Sequence, residues 1–313
     1  MSGSVALFGA AGATGHALGP ALEARGIRYR VVGRNLETLE REFPHAEAVR
    51  ADFLNGEGTA AAAKGVETVF YLAGAPYTHF EQHPIMTRNA LAAARRAGVK
   101  QFVHVAPVYS YGPAVVRPVP ESQPHRPSTR KGRWRLDQEQ AVLAANGPEM
   151  RTLIMHLPDF YGPYADNSFA NYFIREAVEG KAATFIGPLR AQREFIFVPD
   201  VAEPLLRLSQ LDDAYGRCWN LGAVSTITGQ TFSDLVYNAL GTTPKPRSIP
   251  KIALTLLGLL NPFMREVSEM YYLYDSDFIL DDSQLCTRLG TVHKTPYAEG
   301  IRRTVDFMRI QTP

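Results

Sequence analysis

Cysteine is nearly missing from this chain. Two of its 313 residues, Cys218 and Cys286, are thiols, far apart and outside any Cys-x-x-Cys or Cys/His spacing. That excludes a disulfide scaffold and leaves no zinc-ligand pattern, so no metal is expected. Long apolar runs are missing too. The longest, Ile252 to Leu260, is half of the ~18 residues that a membrane span needs, so no membrane partner is expected. No basic region precedes the first apolar stretch, and a cytoplasmic protein follows by elimination. An excess of one charge is also absent: 33 Lys and Arg stand against 31 Asp and Glu, a net +2. A nucleic-acid surface would spread its cations over a whole face, so no nucleic-acid partner is expected. What is present is ordinary for a folded chain with a sizeable core: 45% apolar and 20% charged residues. One stretch departs from the charge balance. Arg126 to Arg135, RPSTRKGRWR, holds five cations and no acid, which fits a local anion site or a solvated helix face.

The first half alternates strand-like and helix-like patterns. Apolar runs at Val5–Phe8, Tyr29–Val32, Ala48–Ala51, Val66–Leu72, Phe102–Val105 and Arg151–His156 predict strands. Helical spacing at 13–25, 84–97 and 136–145 predicts helices between them. Strands alternating with helices predict an α/β fold, a Rossmann-type doubly wound parallel sheet with right-handed crossovers. After about Asp159 the pattern turns to aromatic and proline-punctuated segments, PDFYGPY, FIGPL and EFIFVPD. We therefore expect a dinucleotide-binding domain over 1–158, to which some later segments return, and a smaller substrate lobe over 159–313.

Gly9-Ala-Ala-Gly12-Ala-Thr-Gly15 follows the first strand and opens the first helix. Gly9 permits a tight turn, Gly12 lets the backbone approach a pyrophosphate, and Gly15 lets helix and strand pack closely. The pyrophosphate would lie on the helix N-terminus, over the N–H groups at Ala13 and Thr14. An NAD site places an acid about 20 residues beyond the glycines, on the ribose 2′-hydroxyl. Here the second strand ends Val32-Gly33-Arg34-Asn35. The acid is missing, and Arg34 suits a 2′-phosphate. The expected cofactor is NADP(H), with NAD(H) the alternative.

At this point the chain resembles the extended short-chain dehydrogenase/reductase family, the NAD(P)-dependent epimerase/dehydratase type. Gly9–Gly15 matches its glycine motif. Asp52-Phe53 falls where the family contacts the adenine, and Tyr71-Leu72-Ala73-Gly74 matches the segment lying along the cofactor. Tyr111-Gly112 resembles the end of its "SS…YG" segment, and 158–163, PDFYGP, its "RPGNVYGP" segment. Glu194 to Ala202 with Arg193 before it resembles "RDFVYVDDVA", and Thr295-Pro296 to Gly300 the closing helix. The resemblance implies a small-molecule substrate, a homodimer through a four-helix contact, and cofactor residues at Asp52, Phe53, Leu72, Ala73 and Gly74. It also places Arg193 where sugar-nucleotide members hold a diphosphate.

The resemblance stops at the chemistry. The family uses Ser or Thr, Tyr and Lys, the last two as YxxxK. Here the Ser/Thr place holds Pro107, and the YxxxK frame counted from Glu139 is Lys131 to Arg135. Lys131 and Arg135 share a helix face. Like-charge repulsion from Arg130 and Arg135 would lower the pKa of Lys131 and make it a proton donor. Arg135 would hold the nicotinamide ribose. A solvated helix start without a catalytic task is the other reading. Tyr109 and Tyr111, just past strand five, are further donor candidates. Tyr161 and Tyr164, on the loop after strand six, are substrate-binding candidates. The function expected is an NADP(H)-dependent oxidoreductase transferring a hydride to a carbonyl or polarised C=C. The alternatives are a non-catalytic NADP(H) sensor and a nucleotide-sugar epimerase or dehydratase.

Overall fold

Seven short strands make one parallel sheet in the computed structural model, which describes residues 4–311. They are β1 (Val5–Phe8), β2 (Tyr29–Gly33), β3 (Glu47–Arg50), β4 (Thr68–Tyr71), β5 (Gln101–Pro107), β6 (Arg151–Leu157) and β7 (Cys218–Asn220), in the order β7-β6-β5-β4-β1-β2-β3. Every neighbouring pair is parallel. The winding reverses between β1 and β4, and in such sheets ligands bind at that crevice, outside the carboxyl ends of the strands. Along β1 the two-residue period divides the core. Val5 and Leu7 face one cluster with Leu18 and Leu22, while Ala6 and Phe8 face another with Ala90, Ala94 and Val142.

The crossovers are α1 (Ala13–Glu23), α2 (Leu36–Glu42), α3 (Thr59–Ala63), α4 (Gln82–Arg96) and α5 (Arg130–Ala144). α5 begins six residues earlier than its apolar pattern predicts. Thr129 accepts a hydrogen bond from the Gly132 N–H, at 3.0 Å, and caps the helix there, so the basic stretch is its first two turns.

The rest of the chain forms α6 (Phe169–Val178), α7 (Ala202–Leu208), α8 (Gly229–Leu240), α9 (Lys251–Gly258), α10 (Pro262–Glu269), α11 (Tyr272–Asp275), α12 (Ser283–Leu289) and α13 (Tyr297–Gln311). Three two-stranded pairs join them: 159–161 with 195–197, 192–193 with 227–228, and 184–186 with 247–249. Between sheet edge and second lobe lies a third core, where Phe80, Tyr109 and Tyr111 meet Val267, Met270 and Tyr274.

Candidate functional site

The three glycines of the first turn are needed for different reasons. Gly9 has φ +89°, and a Cβ there would meet Ala73 Cα at 2.5 Å. At Gly15 a Cβ would fall 1.9 Å from the Ala10 carbonyl oxygen. At Gly12 it would meet nothing nearer than the Gly9 carbonyl oxygen at 3.7 Å. The fold thus demands Gly9 and Gly15 but leaves open space at Gly12. Gly12 is also the N-cap of α1, where no side chain caps the helix and no acid stands in the first turn. The N–H groups around Ala13 and Thr14 are free to meet an anion, which is the fit a dinucleotide pyrophosphate requires.

Around that turn the other expected contacts gather. Leu72 donates its N–H to the Phe8 carbonyl at 2.8 Å, which brings Ala73 and exposed Gly74 beside the glycines. Arg34 is exposed at the carboxyl end of β2 and forms no ion pair or hydrogen bond among the described residues. Asp52 Oδ1 accepts from the Leu54 N–H at 2.8 Å. Phe53 departs from expectation: its ring stacks on Phe8 at 4.9 Å in the core, so it has only backbone to offer an adenine.

The surroundings of Lys131 correct the expected like-charge pressure on it. Its ammonium is fully buried between the carboxylates of Glu266 and Glu269 of α10, the latter at 3.1 Å, and Glu269 Oε1 accepts the Lys131 backbone N–H at 3.1 Å. The rings of Tyr77 and Phe80 lie 5.2 and 5.7 Å from it. Arg130 faces the same two carboxylates at 3.4 and 3.5 Å. Arg135 turns elsewhere. Its guanidinium lies 4.9 Å from the Phe80 centroid and donates to Gln138 Oε1 at 2.8 Å. Burial draws its pKa down to about 10 against the pull of Tyr109, Tyr71 and Tyr77, so it remains a cation at neutral pH.

Tyr109 and Tyr111 both lie in the 3₁₀ turn after β5, Val108–Tyr111, but in different surroundings. Tyr109 packs in the same aromatic cluster as Tyr77 and Tyr274. Burial, with Asp159 next, holds its pKa above the ordinary value, opposed by Tyr77, Arg135 and Tyr274. The Tyr77 and Tyr274 hydroxyls are buried without a well-formed hydrogen bond. Tyr111 instead donates to Asn220 Oδ1 at 2.8 Å and packs on His125 and His156. Those two rings flank Glu139, at 2.7 and 3.1 Å. Burial alone would raise the Glu139 carboxyl; the two histidines outweigh it and hold it well below the carboxylate range. The ligand atoms of this triad lie within 4.8 Å of one another, but each carboxylate oxygen already has an imidazole against it.

Of the three substrate-binding expectations, burial corrects those at Tyr161 and Arg193, while Tyr164 stays 36% exposed. Tyr161 is fully buried against Phe197, Phe232 and Tyr297. Tyr164 stacks on His16 of α1 at 3.6 Å. Arg193 is 6% exposed, paired with Asp159 at 2.8 Å and set among Phe185, Phe195 and Tyr274. It holds the second lobe together and has no free face for a diphosphate. Tyr77 and Tyr274 are the residues that motif reading missed. Tyr77 had a usable signal, since it follows the Tyr71–Gly74 segment on the loop leaving β4. Tyr274 had none, being one aromatic among several in a helical stretch.

The model of the NAD dependent epimerase/dehydratase family matches residues 5–222. A 4-hydroxy-2-methyl-3-oxo-4-farnesyl-3,4-dihydroquinoline-1-oxide ketoreductase of Stigmatella aurantiaca is 25% identical over 314 residues, covering 94% of this chain and 93% of that protein. A dTDP-glucose 4,6-dehydratase of Streptomyces antibioticus is 23% identical over 238 residues, 75% of this chain and 65% of that one. Among solved structures, MoeE5 in complex with UDP-glucose and NAD superposes with a TM-score of 0.82 at 22% identity, covering 99% of this chain and 100% of that one. The UDP-glucose 4-epimerase of Thermotoga maritima, with UDP-glucose, gives 0.80 at 20% identity, with the same coverage. At these identities the structures establish the fold.

Proposed function

The chain belongs to the NAD dependent epimerase/dehydratase family, and from that premise we propose that it is an NADP(H)-dependent ketoreductase with Tyr109 as proton donor. The observation that carries the reading is the grouping of Tyr109, Tyr77 and Tyr274 in one aromatic cluster with Phe80, over which the Arg135 cation lies, past the ends of β4 and β5. Bound along the glycine turn, a dinucleotide would supply the hydride, and Arg34 would hold its 2′-phosphate. The tyrosine hydroxyls offer hydrogen bonds to a carbonyl oxygen. Tyr109 then gives that oxygen its proton, and the Arg135 charge offsets the phenolate left behind. Oxidation of an alcohol begins with loss of its proton. A tyrosine is protonated at neutral pH and so starts in the donor form that reduction of a carbonyl uses. Lys131, locked between two carboxylates, is a structural cation in this reading.

The surroundings of the tyrosine hydroxyls are aromatic: Tyr77, Phe80, Phe169, Phe263, Tyr272 and Tyr274. They suit a ketone with an apolar portion better than a sugar diphosphate, in keeping with the ketoreductase relative, whose named substrate is farnesylated. The test is turnover of a panel of apolar ketones with NADPH. Tyr109→Phe should lower kcat by about 10²–10⁴, the usual share of general acid catalysis. Lys131→Arg should keep turnover, because arginine preserves the charge between Glu266 and Glu269. The reverse pattern would move the proton donor to Lys131, since arginine cannot release its proton. NADPH binding without turnover of any ketone would favour a sensor.

A further inference from the structure

Residues 242–265 hold four basic side chains, Lys245, Arg247, Lys251 and Arg265, and no acidic one. Within them α9 and the turn after it point five large apolar side chains at solvent. Ile252, Leu256 and Leu257 are exposed, and Leu259 and Leu260 are 77% and 92% exposed. Only Leu254 and Gly258 of this helix are buried. α10 crosses so close that a Cβ on Gly258 would meet the Arg265 Cα at 2.9 Å, which fixes the outer face of α9 as the one left bare. Isolated exposed leucines are ordinary; five within nine residues form a patch.

Three of the four cations around the patch are uncompensated, while Arg265 lies 3.9 Å from Glu266. Lys245, Arg247 and Lys251 have no ion-pair partner among the described residues. The acids of α10, Glu266 and Glu269, are turned inward on Lys131 and Arg130. An apolar edge with a positive rim is the chemistry of a helix lying in a lipid interface, apolar face among the acyl chains and cations against anionic headgroups. We propose that α9 and its flanking cations dock the protein on an anionic lipid surface. A second copy of the chain is a poorer occupant, because a two-fold contact through this patch would bring its cations against the same cations. No span is needed: no helix among the described residues is long and apolar enough to cross a membrane, and an interfacial helix lies in the plane of the bilayer. The docking does not depend on the reduction proposed above. If both hold, the aromatic cluster around Tyr109, in which Phe263 of the next helix packs on Tyr77 and Phe169, lies near the docked helix.

Co-sedimentation of the full chain with phosphatidylcholine vesicles containing about 30% phosphatidylglycerol tests the proposal. Binding should be at least about ten-fold stronger than to phosphatidylcholine alone and should weaken as salt is raised. Leu256→Gln/Leu259→Gln/Leu260→Gln and, separately, Lys245→Glu/Arg247→Glu/Lys251→Glu should each reduce it about ten-fold or more. All six residues are exposed, so melting temperature and NADPH affinity should stay those of the parent. Absence of binding, equal binding to neutral vesicles, or full binding by the leucine variant overturns the proposal. So does a lipid-free dimer that the leucine variant dissociates, which would give the patch to a second copy. Ketone turnover in lipid-free buffer is a separate readout, and its failure would count against the reductase reading alone.

Discussion

Gly12 and Gly15 stand three residues apart in one turn, yet their substitution should fail in opposite ways. Gly12 has open space where a side chain would begin and an extended backbone that any residue adopts. Gly12→Val should therefore fold with the parent's stability and lose dinucleotide binding, because the new side chain fills the place of the pyrophosphate. Gly15→Ala puts a methyl group into the Ala10 carbonyl, and it should lower stability by about 1–3 kcal/mol or more. Urea midpoints and calorimetry with NADPH separate the two outcomes. Undiminished NADPH binding by Gly12→Val would place the nucleotide elsewhere. Arg34 belongs at the same scale. A charge-assisted contact to the 2′-phosphate contributes about 1.5–3 kcal/mol, so Arg34→Ala should weaken NADPH binding by roughly ten-fold or more and leave NADH nearly unchanged. An unchanged preference between the two cofactors would remove Arg34 from the site. The turn itself and the place of Arg34 were legible in the sequence because a glycine turn is local: strand, glycines and helix lie within one stretch, and the residue ending the next strand follows from the winding.

At the scale of elements, α5 shows where local reading ends. The frame counted from Glu139 identified Lys131 and Arg135, and their i, i+4 spacing gave each the other as nearest charge. The partners that decide the environment of Lys131 are Glu266 and Glu269, 135 and 138 residues further along, on a helix that no spacing rule ties to α5. A lone pattern of acids on α10 looks the same whether it faces water or a buried lysine. The contact makes Lys131 a clamp between the sheet domain and the second lobe. Lys131→Met should leave two part-buried carboxylates facing only the more exposed Arg130 and, at Glu266, Arg265, and removing one partner of such a group costs about 3–5 kcal/mol. Equilibrium unfolding in urea should show that loss, and Glu266→Gln/Glu269→Gln in the Lys131→Met background should recover part of it. A Lys131→Met variant as stable as the parent would remove the clamp and restore a catalytic task for this lysine.

Across the whole molecule, the parallel sheet was legible because its strands alternate with helices, and the resemblance carried the second lobe only as an outline. Its internal packing rests on pairings between distant segments, such as Arg193 with Asp159 and Glu194 with the chain around 223 and 280. Glu194 makes that packing sensitive to pH. Its two oxygens accept the N–H groups of Leu280, at 2.7 Å, and Ala223, at 3.1 Å, so one carboxylate fastens the end of the sheet domain to the second lobe. Burial raises its pKa to about 7, with Asp282 adding to the rise and the two N–H groups and Lys294 opposing it. A carboxyl whose folded pKa lies above its unfolded one binds its proton more tightly in the folded state. Its contribution is complete below the unfolded value and is lost as pH rises through the folded value. From about pH 5 to about pH 8 that loss should come to about 2–3 kcal/mol. His104 works the other way: burial, then Arg135, lowers its pKa to about 3, so the stability lost by keeping it neutral in acid returns as pH rises. The two trends partly cancel in the parent, and only a difference measurement isolates Glu194. Glu194→Gln keeps the shape but cannot ionise. The stability of the parent minus that of Glu194→Gln, from urea unfolding at about pH 5 and about pH 8, should fall by that 2–3 kcal/mol. A difference that stays flat over this window would mean that the carboxyl titrates at its ordinary value and that the junction between the lobes does not respond to pH through this residue.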